Sequence, residues 1–161
     1  MSTRAVVCFK QPRGWRAYYR HHDGYPTGLG WELYNYLRSH PDAARIIATD
    51  YTTITPRCFE FLRLSSFTPP VLRAPEHAFD AQGDLEYIYS VERYNRYNED
   101  TDTVRIGVYR TSNPFISKSF VVPVLTIFTE QSPSEVYTLL SAIETSVEAT
   151  LRILSEIHEQ G

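Results

Sequence analysis

The stretch from Ser132 to Gln160, SPSEVYTLLSAIETSVEATLRILSEIHEQ, constrains the fold more than any other. Ser132 is followed by Pro133 and, three residues after the serine, by Glu135. That is a capping box with proline at the first helical position, where its missing N–H costs nothing. Val136, Leu140, Ile143, Val147, Thr150, Leu154 and Ile157 then recur at alternating spacings of four and three. Such a seam needs an apolar partner along its whole length. A helix of roughly 25 residues is about 38 Å long, more than a small sheet needs for cover. The pattern predicts an amphipathic helix over 132–160, packed in part on its own sheet and in part on another subunit. The alternative is a helix lying wholly on its own sheet.

The rest of the chain supplies strands for that helix to cover. AVVCF (5–9) and WRAYYRH (15–21) read as strands joined by a turn at QPRG. WELYNYLRSH (31–40) reads as a helix ended by Pro41, PDAARIIA (41–48) as one or two further turns, and PRCFEFLRL (56–64) as a second short helix. Residues 65–84, with Pro69, Pro70, Pro75 and Gly83, form a long connection, read either as a flap over a site or as a loop lying on the surface. LEYIYSVE (85–92) and TVRIGVYRT (103–111) form a hairpin, and 115–129 holds one or two more strands, with Pro123 marking a bulge or an edge. The fold class expected for residues 1–161 is a single α+β domain. It has a mainly antiparallel sheet of about five strands, helices packed on one face, and the long C-terminal amphipathic helix.

Charge narrows the partners. The formal net charge is −3, which disfavours a general affinity for DNA or RNA. Its distribution is uneven: residues 1–22 hold Arg4, Lys10, Arg13, Arg16 and Arg20 with no acidic residue, whereas 130–161 hold six glutamates against Arg152. A basic end of this kind suits a small anionic ligand better than a polymer. The longest nearly apolar run, 120–128, is too short to span a bilayer, and Lys10 interrupts the first apolar run. A cytoplasmic protein is expected, without membrane association. Cys8 and Cys58 lack C-x-x-C spacing and read as reduced, buried thiols.

One segment concentrates the chemistry: YYRHHDGYPTGLG, 18–30. Asp23-Gly24 favours a turn, Pro26 stiffens the exit, and Thr27 is placed to cap the helix that follows. Gly28 and Gly30 permit close backbone approach at a helix start, where free N–H groups attract anions. Arg4, Arg20 and His22 lie nearby on the strands, and Tyr19, Tyr25 and Trp31 offer flat faces for stacking. If the strand persists, His21 and His22 point to opposite faces, which weakens a paired acid–base role. No nucleophile motif, metal-ligand spacing or cofactor fingerprint accompanies them, so no metal or cofactor is expected.

The same segment carries a resemblance. STRA at 2–5, followed by YYRHHDGYPTGLGWEL at 18–33, resembles an uncharacterised family of small phage and prokaryotic proteins. Their N-termini read as a short S-x-R strand and then Y-x-H-x-D-G-Y-P-x-G-x-G. Tyr19, His21, Asp23, Gly24, Tyr25, Pro26, Gly28 and Gly30 match, and His22 stands where the family usually has Trp. GDLEYIYSVE at 83–92 is similar to a later aromatic strand of that family. The resemblance implies a phage-type origin and carries no activity with it.

These readings converge on a phage-type binding protein that holds or sequesters a small anionic, nucleotide-like molecule, with counter-defence as its use and homo-oligomerisation through the 132–160 helix. The ligand-binding residues expected are Arg4, Tyr19, Arg20, His22, Asp23, Tyr25, Gly28, Gly30 and Trp31. Two alternatives stand beside it: a phosphodiesterase or related hydrolase using His21, His22 and Asp23, and a protein–protein inhibitor working through its tyrosine-rich strands.

Overall fold

β1 (Ala5–Gln11) is apolar on both sides, and its position in the computed structural model explains why. The structure describes residues 3–40, 60–66, 71–81, 84–94, 103–111 and 121–145. Within them β1 lies inside a sheet of order β3-β2-β1-β4-β5-β6. The remaining strands are β2 (Gly14–Arg20), β3 (Ser65–Ser66), β4 (Tyr87–Arg93), β5 (Val104–Thr111) and β6 (Val121–Phe128). Ala5, Val7 and Phe9 join the core on one face, and Val6 and Cys8 join the core on the other. A strand covered on both faces reads as an unbroken apolar run.

Two hairpins agree with the local turn signals. β1 and β2 pair antiparallel from Ala5↔Arg20 to Gln11↔Gly14, and β4 and β5 pair from Tyr87↔Arg110 to Arg93↔Val104. β5 and β6 are antiparallel with an irregularity between Val108 and Tyr109, opposite Pro123 and Leu125. Pro123 therefore sits on the outermost of the described strands and beside a bulge, the two places where a strand tolerates a missing N–H.

The sheet is nevertheless mixed, not mainly antiparallel as expected. β1 and β4 run parallel, from Ala5↔Tyr87 to Phe9↔Val91. Periodicity tells which residues share a face but carries no information about strand direction. The parallel pair joins segments some eighty residues apart, through a crossover that includes a helix. The strand number also exceeds the expected five, by the two-residue β3 at the β2 edge.

The helices divide between the faces. A π-helical turn (Pro26–Gly30) runs directly into α1 (Trp31–Ser39). α1 buries Leu33, Tyr34 and Leu37 in the same core as Ala5, Val7, Tyr89 and Ile106. Leu62, from the helical turn at 60–62, joins them. The opposite face is covered by residues 71–81, which include the short α2 (His77–Ala81) and bury Leu72, Ala78 and Phe79 against Val6, Cys8, Trp15 and Ile88. Leu72 pairs with Trp15 as an isolated bridge, with N–H···O bonds of 2.8 and 2.7 Å in the two directions. This part of the 65–84 connection is thus sheet cover, and helices are not confined to one face.

α3 (133–145) begins where the capping box places it: the Glu135 N–H donates to Ser132 Oγ at 3.3 Å. The first members of the seam, Val136 and Leu140, are fully buried on the α1 side of the sheet, and Ile143 packs partly against them. The seam from Val147 onward, the helical turns read at 41–48, and Cys58 lie outside the described residues. None of the described helices is long and apolar enough to cross a membrane.

Candidate functional site

β2 ends at Arg20, one residue sooner than its alternation suggests, and that ending organises the segment after it. Arg20 is 1% exposed. Its Nε donates to the His22 carbonyl at 2.8 Å. Its Nη1 donates to the Glu32 carboxylate and, at 3.3 Å, to the Leu62 carbonyl. Its Nη2 is buried with no hydrogen-bond partner among the described residues. A guanidinium is weakly hydrated and planar, which makes it the cation best suited to such burial. An unmet buried donor still costs about 1–3 kcal/mol.

Around Arg20 the charges alternate. Arg63, about half exposed, lies 3.4 Å from the Asp23 carboxylate and 3.9 Å from that of Glu32. Asp23 adopts φ 58°, the left-handed conformation that Asp tolerates better than most residues. In that position its carbonyl accepts the Leu29 N–H at 3.0 Å, and its carboxylate meets the Tyr25 hydroxyl. The negative charge of Asp23 is the largest cause of a raised Tyr25 pKa, followed by burial and by Glu144, with Arg20 opposing.

The two histidines do not diverge as strand alternation requires. Because the strand stops at Arg20, both are exposed and their rings meet edge to face at 4.5 Å. His21 Nδ1 lies 2.8 Å from the Tyr19 hydroxyl. Tyr19 itself packs against the core that residues 71–81 cover.

The glycines serve contacts within the chain. Gly24 donates its N–H to the Thr3 carbonyl at 2.9 Å, and its own carbonyl accepts the buried Tyr89 hydroxyl at 2.6 Å. A Cβ at Gly24 would stand 2.7 Å from both Ala5 Cβ and Thr3 O. Gly28 gives its N–H to the Tyr25 carbonyl at 3.0 Å, and a Cβ there would stand 2.6 Å from Asp23 O. At Gly30 the neighbours would be Tyr89 and Leu140, at 3.2 and 3.3 Å.

Thr27 is not the N-cap. That position belongs to Tyr25, which makes no side-chain capping bond. Instead Thr27 donates its N–H (3.1 Å) and its hydroxyl (2.6 Å) to the Glu144 carboxylate of α3. The positive end of a helix favours an anion, and a carboxylate from the chain itself lies at this one.

The expected ligand residues therefore separate. Arg20, His22, Asp23 and Tyr25 form one cluster, with Gly28 shaping its turn. Arg4 is paired with Asp84 at 2.8 Å. Tyr19 packs against the other core, and Trp31 stacks on Tyr34 (5.7 Å) and meets Tyr137 edge-on (5.1 Å) between α1 and α3. Glu32, Arg63, Tyr89 and Glu144 join the cluster without being among the residues expected from the sequence. Glu32 carries a local signal, an acid in the first turn of a helix; the other three reach the cluster only through the tertiary fold.

No protein-family model, curated protein or solved structure matches the chain.

Proposed function

We propose that the protein binds a small anionic, nucleotide-like molecule at the turn between β2 and α1 and holds it rather than cleaving it. The observation that carries this reading is the buried Arg20 Nη2, a charged donor with no acceptor among the described residues. A phosphate oxygen would supply that acceptor, recovering the unmet donor's cost, and the half-exposed Arg63, which faces the same Glu32 carboxylate as Arg20, would share the charge. The Tyr25 ring and the touching His21 and His22 rings offer faces for a base. Asp23 orients Tyr25 and Arg63. If the origin is phage-type, as the resemblance implies, holding such a molecule would sequester a host signal. Self-association through the 132–160 helix belongs to the same reading, and light scattering in solution tests it.

A second reading has an observation of its own. His21 and His22 touch and the Tyr19 hydroxyl lies 2.8 Å from His21 Nδ1, so the two imidazoles would serve as a general acid–base pair in a hydrolase at the same place. A pool of cyclic and linear nucleotides incubated with the protein, followed by repurification, denaturation and mass spectrometry, separates the readings. Intact nucleotide supports holding; altered nucleotide supports the hydrolase; none recovered overturns both and favours a protein partner. Charge reversal at Arg20 is a poor probe, because breaking a buried pair costs about 3–5 kcal/mol. Arg20→Lys keeps the charge and removes the fork, and it abolishes nucleotide retention if the placement is right.

A further inference from the structure

Beside its core-facing side, α1 has a second face. Leu33, Tyr34 and Leu37 are buried, whereas Asn35, Tyr36, Ser39 and His40 fall on the adjoining arc at helical spacing. With Glu60 and Phe61, from the helical turn at 60–62, these four line a cleft of about 550 Å³. That volume falls in the range of small-molecule sites. Ring contacts join the two elements. Tyr36 stacks on His40 at 4.3 Å and meets Phe61 at 5.5 Å. Leu62, next in the turn, is fully buried in the same core as Leu33 and Leu37, which anchors the turn beside α1. Phe61 nevertheless keeps 57% of its surface exposed, so one part of its ring is open to a ligand.

The polar groups of the lining offer acceptors. His40 Nδ1 lies 2.8 Å from the Tyr36 carbonyl. A carbonyl can only accept, so Nδ1 carries the proton, and Nε2 of the neutral ring is an acceptor. Asn35 donates a side-chain N–H to the Trp31 carbonyl at 2.9 Å, which leaves its Oδ1 to accept. The Glu60 carboxylate makes no ion pair or hydrogen bond among the described residues. The cations nearest to it on these two elements turn elsewhere. Arg38 donates to the Tyr34 hydroxyl at 3.4 Å and lies over that ring, and Arg63 faces Asp23 and Glu32. Among the described residues lining the cleft there is no lysine or arginine.

We propose that this cleft binds a small organic cation, an ammonium or guanidinium carried on a flat apolar group. The cation pairs with the Glu60 carboxylate, and Asn35 and His40 supply further acceptors from the α1 wall. The flat group rests on the open part of Phe61, where the negative face of the ring adds attraction for positive charge. This charge preference is opposite to that of the cluster around Arg20. Cations read the one site and nucleotides the other, so the two readings fail separately.

Benzylamine and benzamidine serve as probes for the two kinds of cation, with benzyl alcohol as the uncharged control. The readout is the backbone amide signals of Ser39, His40, Glu60 and Phe61 in an assigned proton–nitrogen correlation spectrum. Saturable shifts with one or both cations, and none with benzyl alcohol, are expected. Glu60 and Phe61 are both exposed, so either can be replaced without loss of core, and the remaining signals of each variant report that the fold is kept. Glu60→Gln keeps the shape, removes the charge and weakens cation binding about tenfold. Phe61→Ala weakens it about threefold. Signals that do not move with either cation, that move equally with benzyl alcohol, or that titrate with unchanged affinity in Glu60→Gln overturn the proposal.

Discussion

The two faces of the sheet are covered by different kinds of structure, although β1 offers both the same kind of side chain. On one face Ala5, Val7 and Phe9 meet Leu33, Tyr34 and Leu37 of α1 and Val136 and Leu140 of α3. On the other, Val6 and Cys8 meet Leu72, Ala78 and Phe79 from a crossing stretch of chain with one short helix. Helical cover brings rows of side chains at fixed spacing, so many contacts form together. A crossing chain is held at a few points, here the Trp15–Leu72 bridge and the buried side chains that follow it. The helix-bearing face should therefore contribute more to stability and respond more sharply to truncation.

The largest effect expected tests this directly. Leu140→Ala, at a fully buried position against Gly30, should cost about 3–5 kcal/mol, and Leu72→Ala about 2–3 kcal/mol, since the main-chain bonds of Leu72 remain. Urea denaturation of both variants measures the difference, and equal losses would break the comparison. Gly24→Ala comes next. Its new Cβ collides with Ala5 Cβ and Thr3 O, and overpacking of this kind costs about 1–3 kcal/mol, read as a lowered melting temperature.

Tyr89→Phe has a smaller effect and sharpens the comparison through pH. Loss of the bond to Gly24 O should cost about 1–2 kcal/mol. Burial, with lesser contributions from Tyr87 and Glu144, raises the Tyr89 pKa well above its ordinary value of 10.0, and Arg20 opposes the shift. The folded protein thus keeps a proton that the unfolded chain gives up. Stability from this group is fully present below pH 10 and falls as pH rises beyond it. Urea midpoints measured between about pH 8 and 11 should fall less steeply in Tyr89→Phe. Some slope remains, because Tyr25 and Tyr109 are shifted in the same direction.

The smallest effect concerns the other face. Burial, and then the charge of Glu76, push the Cys8 thiol up, so little thiolate is available to react. In a Cys58→Ser background, iodoacetamide should leave Cys8 unmodified in the folded protein and alkylate it in urea. Native-state labelling would show that the 71–81 cover opens readily, a sharper difference between the faces than packing alone implies.

Much of the architecture is legible before any tertiary contact is known. The β1–β2 turn, the β4–β5 hairpin, α1 and the capped start of α3 all rest on interactions between residues close in sequence, and all four are present. The candidate site was legible only at its centre. Arg20, His22, Asp23 and Tyr25 are neighbours in the chain, so a turn brings them together. Arg63 and Glu144 are far along it, and no local pattern marks them. The histidines show how one residue decides such a reading: alternation separates His21 from His22 only while the strand lasts, and it stops at Arg20.

By itself the sequence determined the α+β class, the apolar faces of β1, β4 and α1, and the turn at Asp23-Gly24. Periodicity, caps and turn chemistry act over a few residues and need nothing distant. Tertiary structure decided the parallel β1–β4 pair, the covering of the second face by 71–81, and the division of the basic residues between the two ends of β2. It also placed Glu144 at the start of the helix. These depend on which surfaces meet across long stretches of chain. Burial and hydrogen-bond satisfaction select those meetings collectively, and no short segment encodes them.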